Sequence, residues 1–169
     1  KRQDVPSVQI CVKPDLTRLS DEDLGTLRNY ADTNGKLLEI GTTGSAPEKL
    51  LRFLQIAEVL GARLVRTVFP RASTGLNDER THISQIVDDF AQKQVTLAIE
   101  NHEASSFLDL QALCQDIDND YVGVCLDTVN SLGRGEGLRE VTTALMPFTK
   151  CLHVKDFTVI RHTSDMEMT

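Results

Sequence analysis

The sequence has no basic run, no cysteines at metal-binding or redox spacing, and no apolar stretch near the ~18 residues that a membrane span needs. Each absence removes a class of protein. Lysine and arginine total 18 against 25 aspartates and glutamates, giving a net charge of −7. The electrostatic footprint of a nucleic-acid-binding surface is therefore missing. The acidity suits a protein that keeps its cations as bound metal, and a solvated acidic surface accounts for it equally. Cys11, Cys114, Cys125 and Cys151 form no C-x-x-C pair and no disulfide framework. Cys125 and Cys151 sit in apolar segments, where cysteine acts as a small hydrophobe, and a reducing, cytoplasmic compartment is expected. No signal peptide is expected, and no low-complexity tract is found. The chain opens on Lys1-Arg2-Gln3-Asp4 without an initiator methionine, so a start inside a longer protein is expected.

The 169 residues that are there suffice for one domain with a full core, and a single domain over 1–169 is expected. Strand and helix signals alternate along the chain. Apolar strands are expected at Val8–Val12, Leu37–Gly41, Leu64–Phe69, Val95–Glu100, Val122–Asp127 and Cys151–Asp156. Between them, Ser20 before Asp21, Glu22 and Asp23 reads as a helix N-cap followed by acids at the positive dipole end. Pro47 starts a helix that Gly61 stops. Ile83, Ile86, Val87 and Phe90 lie on one face of a helix over Asp78–Gln94, and further helices are expected over Ser106–Ile117 and Leu138–Met146. The Gly133-Arg134-Gly135-Glu136-Gly137 stretch has neither Walker nor dinucleotide spacing and reads as a helix-entry turn. No Ser-His-Asp or Cys-His nucleophile pairing is evident.

Such alternation implies a parallel sheet with right-handed crossovers. In strand after strand one parity is branched and apolar: Val8 and Ile10, Leu38 and Ile40, Leu97 and Ile99, Val124 and Leu126, Leu152 and Val154. That face should pack under helices. The other parity is small or polar: Gln9 and Cys11, Glu39 and Gly41, Ala98 and Glu100, Cys125 and Asp127, Cys151, His153 and Lys155, with Arg66 able to join. A doubly wound sheet would be apolar on both faces. One polar face instead suits the interior of a barrel. About six βα units fall short of the eight strands and ~250 residues of a (β/α)8 barrel. The expected fold is thus α/β, a TIM-type (β/α)8 barrel that is incomplete, with the first and last units missing. Its open sheet edges would allow self-association into a homo-oligomer.

Three of these strands end in a residue able to bind metal: Glu100, Asp127 and His153. Active sites of (β/α)8 enzymes lie at that end of the barrel. Singly, Glu100 could cap a helix, Asp127 could start an Asx-turn and His153 could be a hydrogen-bonded core histidine. Jointly, two carboxylates and an imidazole of shared inward parity point to a divalent ion, the oxygen-rich set leaning toward harder cations. Mn2+ is expected first, with Mg2+, Co2+ or Zn2+ as alternatives. Lys155 either contacts a substrate oxygen or phosphate or pairs with Glu39. His102 and Glu103 should line the mouth, and Arg161 is placed to meet an anionic substrate or solvent.

Ile99-Glu100-Asn101-His102, Cys125-Leu126-Asp127-Thr128-Val129-Asn130 and Leu152-His153-Val154-Lys155-Asp156 together resemble the sugar phosphate isomerase/epimerase superfamily, the xylose isomerase-like TIM barrels. The resemblance runs from the strand at Leu37 through Asp156. It implies a metal held by Glu100, Asp127, His153 and a second glutamate on a strand absent from this sequence; Glu167 follows too closely to be that residue. It also implies Glu100 as the metal-bound base in proton abstraction beside a carbonyl, through an enediolate. Asn130 stands where many members have a histidine that touches substrate, and Glu39, His102, Asn130, Lys155 and Arg161 are the expected substrate contacts. The implied activity is isomerisation or epimerisation of a small sugar, keto-sugar or sugar phosphate. The alternatives are a lyase of the inosose or dehydroshikimate dehydratase kind, and a barrel fragment that is catalytically incompetent. The apurinic-endonuclease branch is disfavoured, since it needs a basic groove and more histidines than the four present.

Overall fold

The structure, a computed structural model, describes residues 5–11, 15–70 and 76–158. Six strands run in the order of the sequence, each parallel to the next. They are β1 (Ser7–Ile10), β2 (Leu37–Thr43), β3 (Leu64–Val68), β4 (Thr96–Glu100), β5 (Val122–Asp127) and β6 (Thr149–His153). A doubly wound sheet would reverse its strand order at a switch point. No reversal occurs, and the sheet curls so far that Gln9 of β1 touches His153 of β6 across its concave side. This is an incomplete (β/α)8 barrel.

The helices are α1 (Asp21–Thr33), α2 (Pro47–Leu60), α3 (Leu76–Ser84), α4 (Val87–Lys93), α5 (Phe107–Ile117) and α6 (Leu138–Leu145). None of those described is long and apolar enough to cross a membrane. Local chemistry sets their ends. Ser20 and Asp23 close a reciprocal capping box on α1, as Ser106 and Asp109 do on α5. Pro47 opens α2, and Gly61 ends it at φ 64°, a left-handed conformation that costs glycine little. The expected helix over Asp78–Gln94 is instead two. At the break the Ile86 N–H reaches back only three residues, to the Ile83 carbonyl, and Ile86 takes φ −121°. Ile83, Ile86 and Phe90 stay buried on one face, so the apolar period is satisfied across the interruption.

The core lies between the convex face of the sheet and these helices. Ile40, Val65, Leu97, Ile99, Val124 and Leu126 pack there against Leu50, Leu54, Phe90, Leu110 and Leu113. The parity expectation fails at the two edge strands. Val8, Leu152 and Val154 are exposed, at 42%, 55% and 76%, because no described helix covers the outer face of β6 and only part of β1 is covered. Strand β6 also begins earlier than expected and ends at His153, leaving Val154, Lys155 and Asp156 in the following loop. Val12 lies outside the described residues, and β2 runs on to Thr43.

One irregularity matters for the site. Val124 faces Thr149, but Cys125 faces Cys151, so β6 carries one extra residue, Lys150. This bulge shifts register by one and with it the face of every later side chain. The result sets Asp127 beside His153.

Candidate metal centre

The carboxyl ends of β4, β5 and β6 bring Glu100, Asp127 and His153 together, one donor atom from each lying within 4.8 Å of the others. His153 Nδ1 is 3.3 Å from Glu100 Oε2 and 4.0 Å from Asp127 Oδ2. Glu100 and Asp127 are buried, at 3% and 0%, beneath a partly open imidazole.

Each side chain is held by a different device. The two oxygens of Asp127 divide the labour. Oδ1 accepts the backbone N–H groups of Val129 and Asn130 at 2.9 and 3.0 Å, which is the expected Asx-turn. Oδ2 points into the site and is buried, and the Lys155 ammonium pairs with it at 2.5 Å. Burial pushes the Asp127 carboxyl up, but Lys155 and the two N–H donors outweigh it and hold its pKa below the ordinary value.

Asn101 supports Asp127 from β4. Its Oδ1 accepts the Asp127 N–H at 2.6 Å, and its Nδ2 donates to the Asp127 carbonyl at 2.9 Å and to Ser131 Oγ at 2.9 Å. The carboxamide thus continues the β4–β5 ladder one step past the end of β4, offering donor and acceptor as a peptide group would.

Glu100 is gripped from both sides. Arg66 donates to Oε2 through Nε and a terminal nitrogen, and Asn130 Nδ2 donates to Oε1 at 2.7 Å. Lys155 reaches Asn130 Oδ1 at 3.2 Å. His153 is oriented by Gln9, whose Oε1 is 3.0 Å from Nε2. Gln9 Nε2 donates to Glu39 Oε2 at 2.9 Å. A carboxylate can only accept, so the amide end of Gln9 must face Glu39 and its carbonyl must face the imidazole. A proton therefore sits on His153 Nε2, and in the neutral ring Nδ1 turns its lone pair toward Glu100 and Asp127.

Of the other expected contacts, Asn130 lies inside the cluster. Lys155 pairs with Asp127, and Glu39 reaches the site through Gln9. His102 is half-buried in the loop after β4, and among the described residues no hydrogen bond joins its ring to the cluster. Arg161 and Glu167 lie outside the described residues. Gln9 and Arg66 were visible only as members of the inward parity. Asn101 carried no signal beyond its place in the motif.

A divalent cation fits this donor set. Two carboxylate oxygens and an imidazole nitrogen face one another, while the other polar atom of each side chain is held by its own hydrogen bonds. Below it Cys125 and Cys151 oppose each other, with His153 near both. Their hydrogen bond lowers the Cys151 thiol to about 7 and raises that of Cys125.

Residues 4–166 match the model of the xylose isomerase-like TIM barrels. The chain belongs to that family. It is similar to a 3-oxo-isoapionate decarboxylase of Pectobacterium atrosepticum, 33% identical over 155 residues that cover 90% of this chain and 56% of the relative. The chain thus spans little more than half the length of that protein. Its fold is shared with a D-psicose 3-epimerase solved in the presence of D-fructose (TM-score 0.75, 16% identity, 88% of this chain and 62% of that one). It is also shared with a xylose isomerase-like protein from Mycobacterium smegmatis in complex with magnesium (TM-score 0.70, 20% identity, again 88% and 62%).

Proposed function

We propose that this chain carries the metal-binding core of an enzyme that isomerises or epimerises a small sugar, keto-sugar or sugar phosphate. The convergence of Glu100, Asp127 and His153 at the carboxyl ends of three parallel strands carries the reading. These three would hold the ion, Mn2+ first. When bound, such an ion lowers the cost of negative charge on a substrate carbonyl oxygen. Glu100 takes the proton from the carbon beside that carbonyl, its carboxylate aimed by Arg66 and Asn130. His153, whose Nε2–H is held by Gln9, offers Nδ1 as a ligand. Asp127, held in its low-pKa state, needs no deprotonation at neutral pH. Epimerisation in deuterated water should place deuterium on the carbon next to the carbonyl, and Glu100→Gln should abolish that exchange. Turnover without solvent deuterium in the product would rule out proton abstraction.

A second reading, a lyase on the same metal cradle, is favoured by the 33% identity to a protein named as a decarboxylase. The same assay separates the two. Release of carbon dioxide, or an absorbing enone product after loss of water, marks the lyase; an isomeric sugar marks the first reading.

A further inference from the structure

The extra residue Lys150 does more than set Asp127 beside His153. It also makes Cys151 the cross-strand partner of Cys125. Residues two apart on a strand share a face, so Cys125 lies under Asp127 on β5 and Cys151 under His153 on β6. The donors form two rungs, a carboxylate and an imidazole above, a pair of thiols below. The thiols are hydrogen-bonded to each other and cluster with Leu64 and Ala98, apart from the main core. Cys125 Sγ, Cys151 Sγ and a ring nitrogen of His153 lie within 4.8 Å of one another. Gln9 Nε2 donates to Cys151 Sγ at 3.8 Å, a hydrogen bond that suits a metal-bound thiolate. Cys125 is 0% exposed, while Cys151 and His153 are half-buried and leave an ion a way in.

We propose that Cys125, Cys151 and His153 form a second cation site, for a soft ion such as Zn2+, and that an ion there weakens Mn2+ binding at the triad. Donor chemistry separates the two sites: thiolates take soft ions, carboxylates take hard ones, and imidazole serves either. The span fits as well. Zn–S bonds of ~2.3 Å and a Zn–N bond of ~2.0 Å at tetrahedral angles put the donors about 3.5–3.8 Å apart, so they close by about 1.3 Å at most. Three protein donors leave the fourth position to water. The rivalry has two sources. His153 Nδ1 faces Glu100 and Asp127, so an ion at the thiols draws on a ligand of the triad. Two dications this close also repel each other across a poorly solvated interior. By reciprocity each ion lowers the other's affinity by the same factor. The thiol site stands without the metal reading of the triad; the rivalry rests on that reading.

The probe is Cd2+, a thiophilic dication whose bonds to thiolate absorb in the ultraviolet, titrated into the reduced chain. The band should grow to saturation at one ion per chain. Cys151→Ser should remove most of it. Cys125→Ala, which keeps that buried position apolar, should do the same, and Cys114→Ala, at a thiol in the main core, should leave the band whole. His153→Ala should weaken Cd2+ binding by more than the ~10-fold that an outer-shell partner of a metal is worth. No band, a band that survives both Cys151→Ser and Cys125→Ala, or a Cd2+ affinity unchanged in His153→Ala overturns the three-donor site. The second stage repeats the titration with saturating Mn2+. Cd2+ affinity should fall about tenfold or more in the wild type and stay unchanged in Asp127→Asn, where the hard site is broken. Equal Cd2+ affinity with and without Mn2+ defeats the rivalry. If electron paramagnetic resonance finds no bound Mn2+, the triad reading fails and the rivalry with it, while the ultraviolet band still decides the thiol site.

Discussion

Replacing Asn101 with alanine should damage the site without touching any of its three donor atoms. Asn101 is 1% exposed, and its carboxamide serves both backbone groups of Asp127. In Asn101→Ala the N–H and carbonyl of Asp127 lose their partners in a place where Asp127 itself is 0% exposed. A buried polar group left unpaired costs roughly 1–3 kcal/mol, so two of them cost about 2–6 kcal/mol before any water enters the space. A water held there would bring the loss toward the lower figure. Against a typical total of ~5–15 kcal/mol the change is large. Asn101→Asp is the sharper variant. It keeps the acceptor for the Asp127 N–H but turns a carboxylate oxygen toward the Asp127 carbonyl, so it should lose at least as much. Urea unfolding followed by circular dichroism reads the stability, and Mn2+ titration reads the position of Asp127. A loss below about 1 kcal/mol with unchanged Mn2+ affinity would refute the idea that Asn101 extends the ladder, because a single net hydrogen bond already accounts for that much.

Three further outcomes follow from the same structure. Glu100→Ala should cost about 3–5 kcal/mol, since it strands the half-buried Arg66, whereas Glu100→Gln keeps an acceptor and should cost clearly less in the same urea assay. Gly123→Ala should cost about 1–3 kcal/mol and sit near the upper end, because its Cβ would lie 2.3 Å from the Phe148 carbonyl oxygen, a backbone atom that cannot swing away. The Asp23 carboxylate accepts from the Ser20 hydroxyl and N–H, which lowers its pKa from the ordinary 3.8. A lowered folded-state value adds stability that is complete above the unfolded pKa and is lost as pH falls through the folded one. The melting difference between Ser20→Ala and wild type should therefore be full at neutral pH and shrink, without vanishing, as pH falls below the ordinary 3.8, because the N-cap bond from the Asp23 N–H to the Ser20 hydroxyl does not titrate; a difference unchanged down to strongly acid pH would contradict the Ser20–Asp23 side-chain pair.

Much of the architecture was legible because a barrel sorts its residues by strand parity. Ile40, Leu97 and Val124 had to face helices, and Glu39, Glu100 and Asp127 could not. Capping at Ser20, Pro47 and Gly61 was legible for the same local reason: orphan amides and a left-handed turn demand particular residues. The three strand-end donors were visible as well, being ionisable groups at the ends of apolar runs. What stayed hidden depends on contacts between distant segments. The extra residue at Lys150 shows only in the pairing of β5 with β6. The tautomer of His153 depends on a glutamine 144 residues earlier. Lys155 offered two partners by parity, Glu39 or a substrate, and took Asp127 because its loop carries it across β5, where the Thr128 hydroxyl ties down its backbone. The break between α3 and α4 was invisible because both arrangements bury the same isoleucines and phenylalanine.

Whether Glu100, Asp127 and His153 form one divalent-ion site is tested most directly by Mn2+ titration followed by electron paramagnetic resonance. The expected result is one tightly held Mn2+ per chain, with binding weakened severely by Asp127→Asn and by His153→Ala while circular dichroism still reports a folded chain. Free Mn2+ signal at every ratio, or binding that survives both substitutions unchanged, would contradict it.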